Sequence, residues 1–105
     1  MVSSEINDKI KSMINEHNIV LFMKGTKQEP MCGFSSQVIN ILNNQGVTYE
    51  TVNILDDWDM REGIKSFSNW PTIPQLYVRG RFIGGCDIVM ELERKSELTS
   101  IIKDL

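Results

Sequence analysis

Residues 19–42, IVLFMKGTKQEPMCGFSSQVINIL, carry the pattern that decides the fold. The run IVLFM at 19–23 is apolar on both faces and too short for a helix, which predicts a fully buried strand. A turn-rich segment, residues 24–31, follows it. From Cys32 onward apolar residues recur at helical spacing, and Gly46 supplies a stop, so we expect a helix there.

The segments on either side extend this alternation. Apolar residues at helical spacing predict a first helix around Ile6 to Ile14, with Ser3 or Ser4 as its N-cap. TYETVNI, residues 48–54, predicts a second strand.

The C-terminal half adds a helix, a hairpin and a last helix. Asp56 or Asp57 can cap the third helix. QLYV and RFIG predict two strands joined at Arg79-Gly80, and Asp87 is expected to cap a final helical stretch.

The predicted order is therefore α-β-α-β-α-β-β-α. Strands joined through a helix imply a right-handed parallel crossover, and the closing hairpin adds an antiparallel edge. This is an α/β fold with a four-stranded mixed sheet and helices on both faces. The 105 residues contain no repeat and no Pro- or Gly-rich linker, so we expect one domain over residues 1–105.

The composition argues against several classes of function. A net charge of −3 and scattered basic residues argue against a nucleic-acid partner. No apolar run approaches the roughly 18 residues that cross a bilayer, which argues against a membrane partner. One His and the lack of CxxC or HExxH spacing argue against a metal site made of protein ligands alone. Two cysteines 54 positions apart are too few for a secreted disulfide scaffold, which favours a reducing compartment, and both cytoplasm and mitochondrion are compatible with the sequence.

Cys32 is the candidate reactive residue. It stands where a helix is expected to begin, and the unpaired N–H groups and positive dipole end of that helix stabilise a thiolate. Lys24, at the end of the preceding strand, adds a positive charge. The thiolate is the form that attacks disulfides or binds metal. Position alone leaves a second interpretation open, a small apolar residue that happens to be a cysteine.

The spacing around Cys32 predicts one-thiol chemistry. A dithiol oxidoreductase has a second cysteine three positions later, where this chain has Ser35. Since a hydroxyl cannot close a disulfide, a mixed disulfide on Cys32 must be resolved by an outside thiol or by Cys86.

Four segments together resemble the CGFS class of monothiol glutaredoxins. They are MKGT at 23–26, CGFSSQ at 32–37, WPTIPQLYV at 70–78 and GGCDIV at 84–89, in the family's order and spacing. The resemblance implies a thioredoxin-like fold in a single glutaredoxin domain, with a site for the tripeptide glutathione beside Cys32.

Glutathione carries two carboxylates, one ammonium and one thiol, so its site needs cations, an anion and backbone groups. Lys24 and Arg61 are candidates for the glycyl carboxylate, and Arg has the bidentate geometry for it. A solvated helix residue is the alternative for Arg61. By the resemblance, Thr72, Ile73 and Pro74 form a turn with a cis proline, in which the backbone of Ile73 pairs with glutathione.

The resemblance assigns the γ-glutamyl end to Gly85, Cys86 and Asp87. Its carboxylate is expected on the N–H groups of a helix N-terminus, with its ammonium near Asp87. A plain N-cap is the alternative role of Asp87. Cys86 is either a buried inert thiol or a redox partner of Cys32.

The resemblance also implies a [2Fe–2S] cluster with Cys32 as its protein ligand. Such a cluster needs four ligands, so Cys32 and one glutathione thiolate from each of two subunits would complete the set in a bridged homodimer. The sequence shows no exposed apolar stripe that would need a permanent partner, so we expect the apo protein to be a monomer. A loosely held cluster suits a carrier that serves iron–sulfur client or assembly proteins. The alternative is a glutathione-dependent oxidoreductase, in which Cys32 attacks glutathione mixed disulfides and a second glutathione releases it.

Overall fold

The computed structural model describes residues 4–103. Its helices and strands are α1 Ser4–Glu16, β1 Ile19–Met23, α2 Gly33–Gln45, β2 Glu50–Asn53, α3 Trp58–Ser68, β3 Gln75–Val78, β4 Arg81–Gly84, α4 Cys86–Arg94 and α5 Glu97–Lys103. None of these helices is long and apolar enough to cross a bilayer.

The four strands form one mixed sheet in the order β2-β1-β3-β4. β1 and β2 run parallel, as their connection through α2 requires, whereas β3 is antiparallel to both β1 and β4. The predicted four-stranded mixed sheet is confirmed. Because β1 is an internal strand, the loop that follows it begins near the middle of the sheet, at the end where the C-termini of β1 and β2 lie.

The side chains of β1 pack into apolar cores on both faces of the sheet. Leu21 and Met23 belong to the apolar core covered by α2, α4 and α5. Val20 and Phe22 belong to the core covered by α1 and α3. All five residues of β1 are buried, which confirms the strand predicted from its continuous apolar run, and helices cover both faces as expected.

Two predicted helix ends are confirmed. Asp57 is the N-cap of α3 and accepts a hydrogen bond from the N–H of Met60 at 3.2 Å. Gly46 ends α2 in the left-handed region, at φ 68°, where a residue without a Cβ is favoured. Ser4 already lies within α1, and Ser3 lies outside the described residues.

Two predictions for the C-terminal segment are wrong. Gly85, not Asp87, is the N-cap of α4, so Asp87 lies in the first turn instead. There its carboxylate still complements the positive end of the helix dipole. The expected single final helix is two helices, because Ser96 adopts a left-handed φ of 61° between α4 and α5.

Candidate functional site

A cavity of about 530 Å³ lies where β1, α2, α3 and α4 meet. This volume is within the range of small-molecule sites, roughly 300–1,000 Å³. All the residues singled out from the sequence line it: Lys24, Cys32, Arg61, Thr72, Ile73, Pro74, Gly85, Cys86 and Asp87. The fold thus brings four separate segments to one site.

Cys32 occupies the N-cap position of α2. Its backbone is extended, at φ −150° and ψ 136°, and its side chain makes no capping hydrogen bond. The first-turn N–H groups of a helix lack intrahelical partners and carry a partial positive charge. A half-buried sulfur in this position lines the cavity and lies beside the unpaired N–H groups of the first turn of α2.

Ser35 has a structural contact in place of a second thiol. Its side chain is fully buried, and its hydroxyl accepts a hydrogen bond from the N–H of Lys24 at 3.2 Å. One residue on, the N–H of Gly25 donates to Oδ1 of Asn53 at 2.9 Å. The start of the loop before Cys32 is therefore tied to both α2 and β2.

The rest of this loop is also anchored. The N–H of Met31 donates to the carbonyl of Lys24 at 2.9 Å, which closes the loop at its base. Nζ of Lys27 donates to the carbonyl of Tyr49 at 2.7 Å and lies 4.2 Å from the centre of the Tyr49 ring. The polar loop is thus held against the start of β2 and leaves Cys32 half-buried.

α3 supplies cations to the cavity. Arg61 lines it, and its Nε is buried without a hydrogen-bond partner among residues 4–103. Lys65, one turn later on the same face, lines it as well, with its Nζ 3.7 Å from Glu62. Lys65 was not predicted from the sequence, although residues four apart lie on the same face of a helix and Lys65 follows Arg61 at that spacing.

The segment from Trp70 to Pro74 forms one wall of the cavity. Its Ile73–Pro74 bond is cis, as the resemblance implied. The side chain of Gln75 is fully buried, and its Nε2 donates to the carbonyls of Trp70 at 3.1 Å and Thr72 at 3.2 Å. Other lining residues not assigned to the ligand from the sequence are Phe34, Trp70, Pro71 and Ile88.

Gly85 lets α4 begin close to this wall. A Cβ at Gly85 would lie 3.1 Å from Nε1 of Trp70 and 3.3 Å from the carbonyl of Pro74. That indole nitrogen is buried and has no hydrogen-bond partner in the described chain. The close approach brings the unpaired N–H groups of the first turn of α4 to the cavity.

Comparison with known proteins agrees with this geometry. The family model described as Glutaredoxin matches residues 19–83. This chain belongs to the glutaredoxin family. Its relatives include proteins named as monothiol glutaredoxins, and CGFS at 32–35 places it in that class. The probable monothiol glutaredoxin 2 of Rickettsia typhi is 52% identical over 95 residues, which are 90% of this chain and 86% of that protein.

Longer relatives and solved structures extend the comparison. Mouse glutaredoxin-3 is 54% identical over 99 residues, which are 94% of this chain but 29% of that protein, so the chain spans under a third of this relative. The crystal structure of a buckwheat glutaredoxin–glutathione complex superposes with a TM-score of 0.85 at 25% identity, covering 96% of this chain and 90% of that one. The fold is therefore the thioredoxin-like fold of glutaredoxins.

Cys86 of this glutaredoxin is a hydrogen-bonded thiol. It is buried, and its Sγ donates to Oε1 of Gln37 at 3.1 Å and contacts Sδ of Met90 at 3.5 Å. Burial raises the pKa of the Cys86 thiol, and the nearby Asp87 and Cys32 raise it further. Both cysteines are free and line the same cavity, but these contacts favour the inert thiol among the two roles predicted for Cys86.

Proposed function

We propose that this glutaredoxin binds glutathione and carries a [2Fe–2S] cluster bridged between two subunits by Cys32 and glutathione. The observation that carries the proposal is one cavity that joins a half-buried thiol at a helix N-terminus to separate cationic and anionic groups. The cluster is cargo in this proposal, and glutathione is the bound cofactor.

The charges of the cavity match those of glutathione. Lys24, Arg61 and Lys65 are cations suited to a carboxylate, and Asp87 is an anion suited to the ammonium. The N–H groups at the start of α4 can donate hydrogen bonds to the second carboxylate. Buried Nε of Arg61 lacks a partner within residues 4–103, so the donor set fits an anionic ligand. That the related buckwheat protein was crystallised as a glutathione complex supports the same assignment.

The cluster requires more ligands than one subunit offers. Within residues 4–103 no group of three or more His, Cys, Asp or Glu residues is arranged to hold a metal ion. Cys86 is buried and hydrogen-bonded as a thiol, whereas Cys32 is half-buried at the cavity, so Cys32 is the better candidate for the protein ligand. With one glutathione thiolate added, each subunit supplies two of the four ligands of a [2Fe–2S] cluster. Two subunits complete the set, and the exchangeable glutathione ligands suit transfer to client proteins.

Anaerobic reconstitution with iron, sulfide and glutathione tests the ligand set, with visible absorption and size-exclusion chromatography as readouts. We expect a coloured, dimer-sized species from the wild type and from Cys86→Ser, the matched control. Cys32→Ser should give no colour, and neither should the wild type without glutathione. A Cys32→Ser variant that keeps the cluster absorption would refute the proposal.

The same preparation distinguishes the alternative function. In that reaction the Cys32 thiolate attacks a glutathione mixed disulfide, expels the substrate thiol and forms a Cys32–glutathione disulfide. A second glutathione then attacks this disulfide, which restores Cys32 and releases oxidised glutathione. A colourless monomer that turns over such a substrate would favour the oxidoreductase over the carrier.

A further inference from the structure

Trp58 is a large aromatic side chain placed in an exposed position. It is the first residue of α3 and is 66% exposed, so it contributes little to the apolar core. Its ring lies against the guanidinium of Arg61, one helical turn later, with Cζ 5.2 Å from the ring centre. This separation is within the range of a cation–π interaction.

Arg61 is held by this ring and not by a carboxylate. No ion pair involves its guanidinium among residues 4–103, although Asp57, Asp59 and Glu62 are close in sequence. A carboxylate partner would neutralise the charge and occupy the N–H donors of the guanidinium. An aromatic face restrains the same group while leaving the donors in its plane unused.

We propose that Trp58 is a positioning residue for ligand recognition: its ring fixes the Arg61 guanidinium at the cavity with its N–H donors free for the glycyl carboxylate of glutathione. This inference rests on the glutathione binding proposed above. Trp58 is absent from the cavity lining, so it acts through Arg61 and does not contact the ligand. Because the ring already restrains the Arg61 side chain in the free protein, less rotamer entropy is lost when the ligand binds.

The test is a titration of ¹⁵N-labelled protein with reduced glutathione, followed by NMR chemical shifts. Trp58→Ala should weaken binding about two- to fivefold, the range expected for an exposed cation–π contact. Trp58→Phe, which keeps an aromatic face, should recover most of the affinity. Leu55→Ala is the matched control, because Leu55 is also an exposed apolar residue, at 49%, but does not line the cavity; its affinity should equal that of the wild type.

A second ligand identifies the group on which Trp58 acts. Glutathione with its glycyl carboxylate converted to an amide lacks the anion assigned to Arg61. We expect the wild type and Trp58→Ala to bind this amide equally. An equal weakening of both ligands by Trp58→Ala, or no weakening of either, would overturn the inference while glutathione binding itself stands. A wild type that fails to bind glutathione would overturn the proposed function and this inference with it.

Discussion

Gln75→Leu removes the two N–H donors that tie β3 to the wall of the cavity. The Gln75 amide is fully buried, donates to the carbonyls of Trp70 and Thr72, and accepts a hydrogen bond from the hydroxyl of Tyr77 at 3.4 Å. Leucine has a similar volume and fits an apolar strand, so packing is largely preserved. The variant therefore isolates the polar contribution of this side chain.

The expected loss follows from the contacts. A neutral hydrogen bond contributes about 1 kcal/mol net, and a buried group left without its partner costs about 1–3 kcal/mol. With two donated bonds and one longer accepted bond lost, we expect the free energy of unfolding to fall by about 2–3 kcal/mol. For a domain of this size that corresponds to a melting temperature lower by about 10–20 °C.

Urea unfolding followed by circular dichroism measures the change, with Gln28→Leu as the matched control. Gln28 is exposed, so the same substitution there should alter stability by less than about 0.5 kcal/mol. Glutathione affinity should also fall for Gln75→Leu under conditions where it is fully folded, because Thr72 belongs to the released wall. A Gln75→Leu variant as stable as Gln28→Leu would refute the reasoning.

Two further predictions concern titrating groups. Because burial raises the pKa of the Cys86 thiol above its ordinary value of 9.0, iodoacetamide at about pH 8 should label Cys32 well before Cys86, as read by peptide mass spectrometry. Equal labelling at that pH would contradict a buried, protonated Cys86. Burial also raises the pKa of Tyr77 from 10.0 to about 12, so between these values the folded chain keeps a proton that the unfolded chain loses. The free energy of unfolding should therefore be unaffected by Tyr77 below pH 10 and should fall as the pH rises to about 12. In urea titrations, Tyr77→Phe should lessen that fall. A variant whose free energy of unfolding falls with pH as steeply as that of the wild type would contradict the prediction.

The sequence predicted those parts of the fold in which a single local feature of the sequence determines the backbone conformation. A continuous apolar run leaves few choices besides a buried strand for 19–23, and Gly46 and Asp57 match the backbone geometry of their helix ends. Ser96 was missed because a left-handed serine carries no sequence signal of its own. Asp87 was misassigned because Asp and Gly both suit an N-cap, and only the position of the first helical hydrogen bond, from Val89 to Gly85, decides between them.

The sequence predicted those site residues whose side-chain chemistry or match to the family motifs points to a role. Lys24, Cys32 and Arg61 were found because charged and thiol groups suggest a chemistry on their own. Gln75 was overlooked, although one amide within a strand buried along its whole length had to find internal partners. The contact between Trp58 and Arg61 depends on rotamers, which spacing along a helix does not fix.

The polar groups around the cavity fall into two sets with different functions. Ser35 and Gln75 are buried and have partners within the fold, so they fix the loop and the wall, and neither side chain lines the cavity. Nε of Arg61 and Nε1 of Trp70, by contrast, are buried without partners in the described residues, and both side chains line this same cavity. Unpaired buried donors are costly, and a sequence keeps such local conflicts mainly at functional sites. Their location beside Cys32 therefore argues that the cavity is built for a ligand and is not a packing defect.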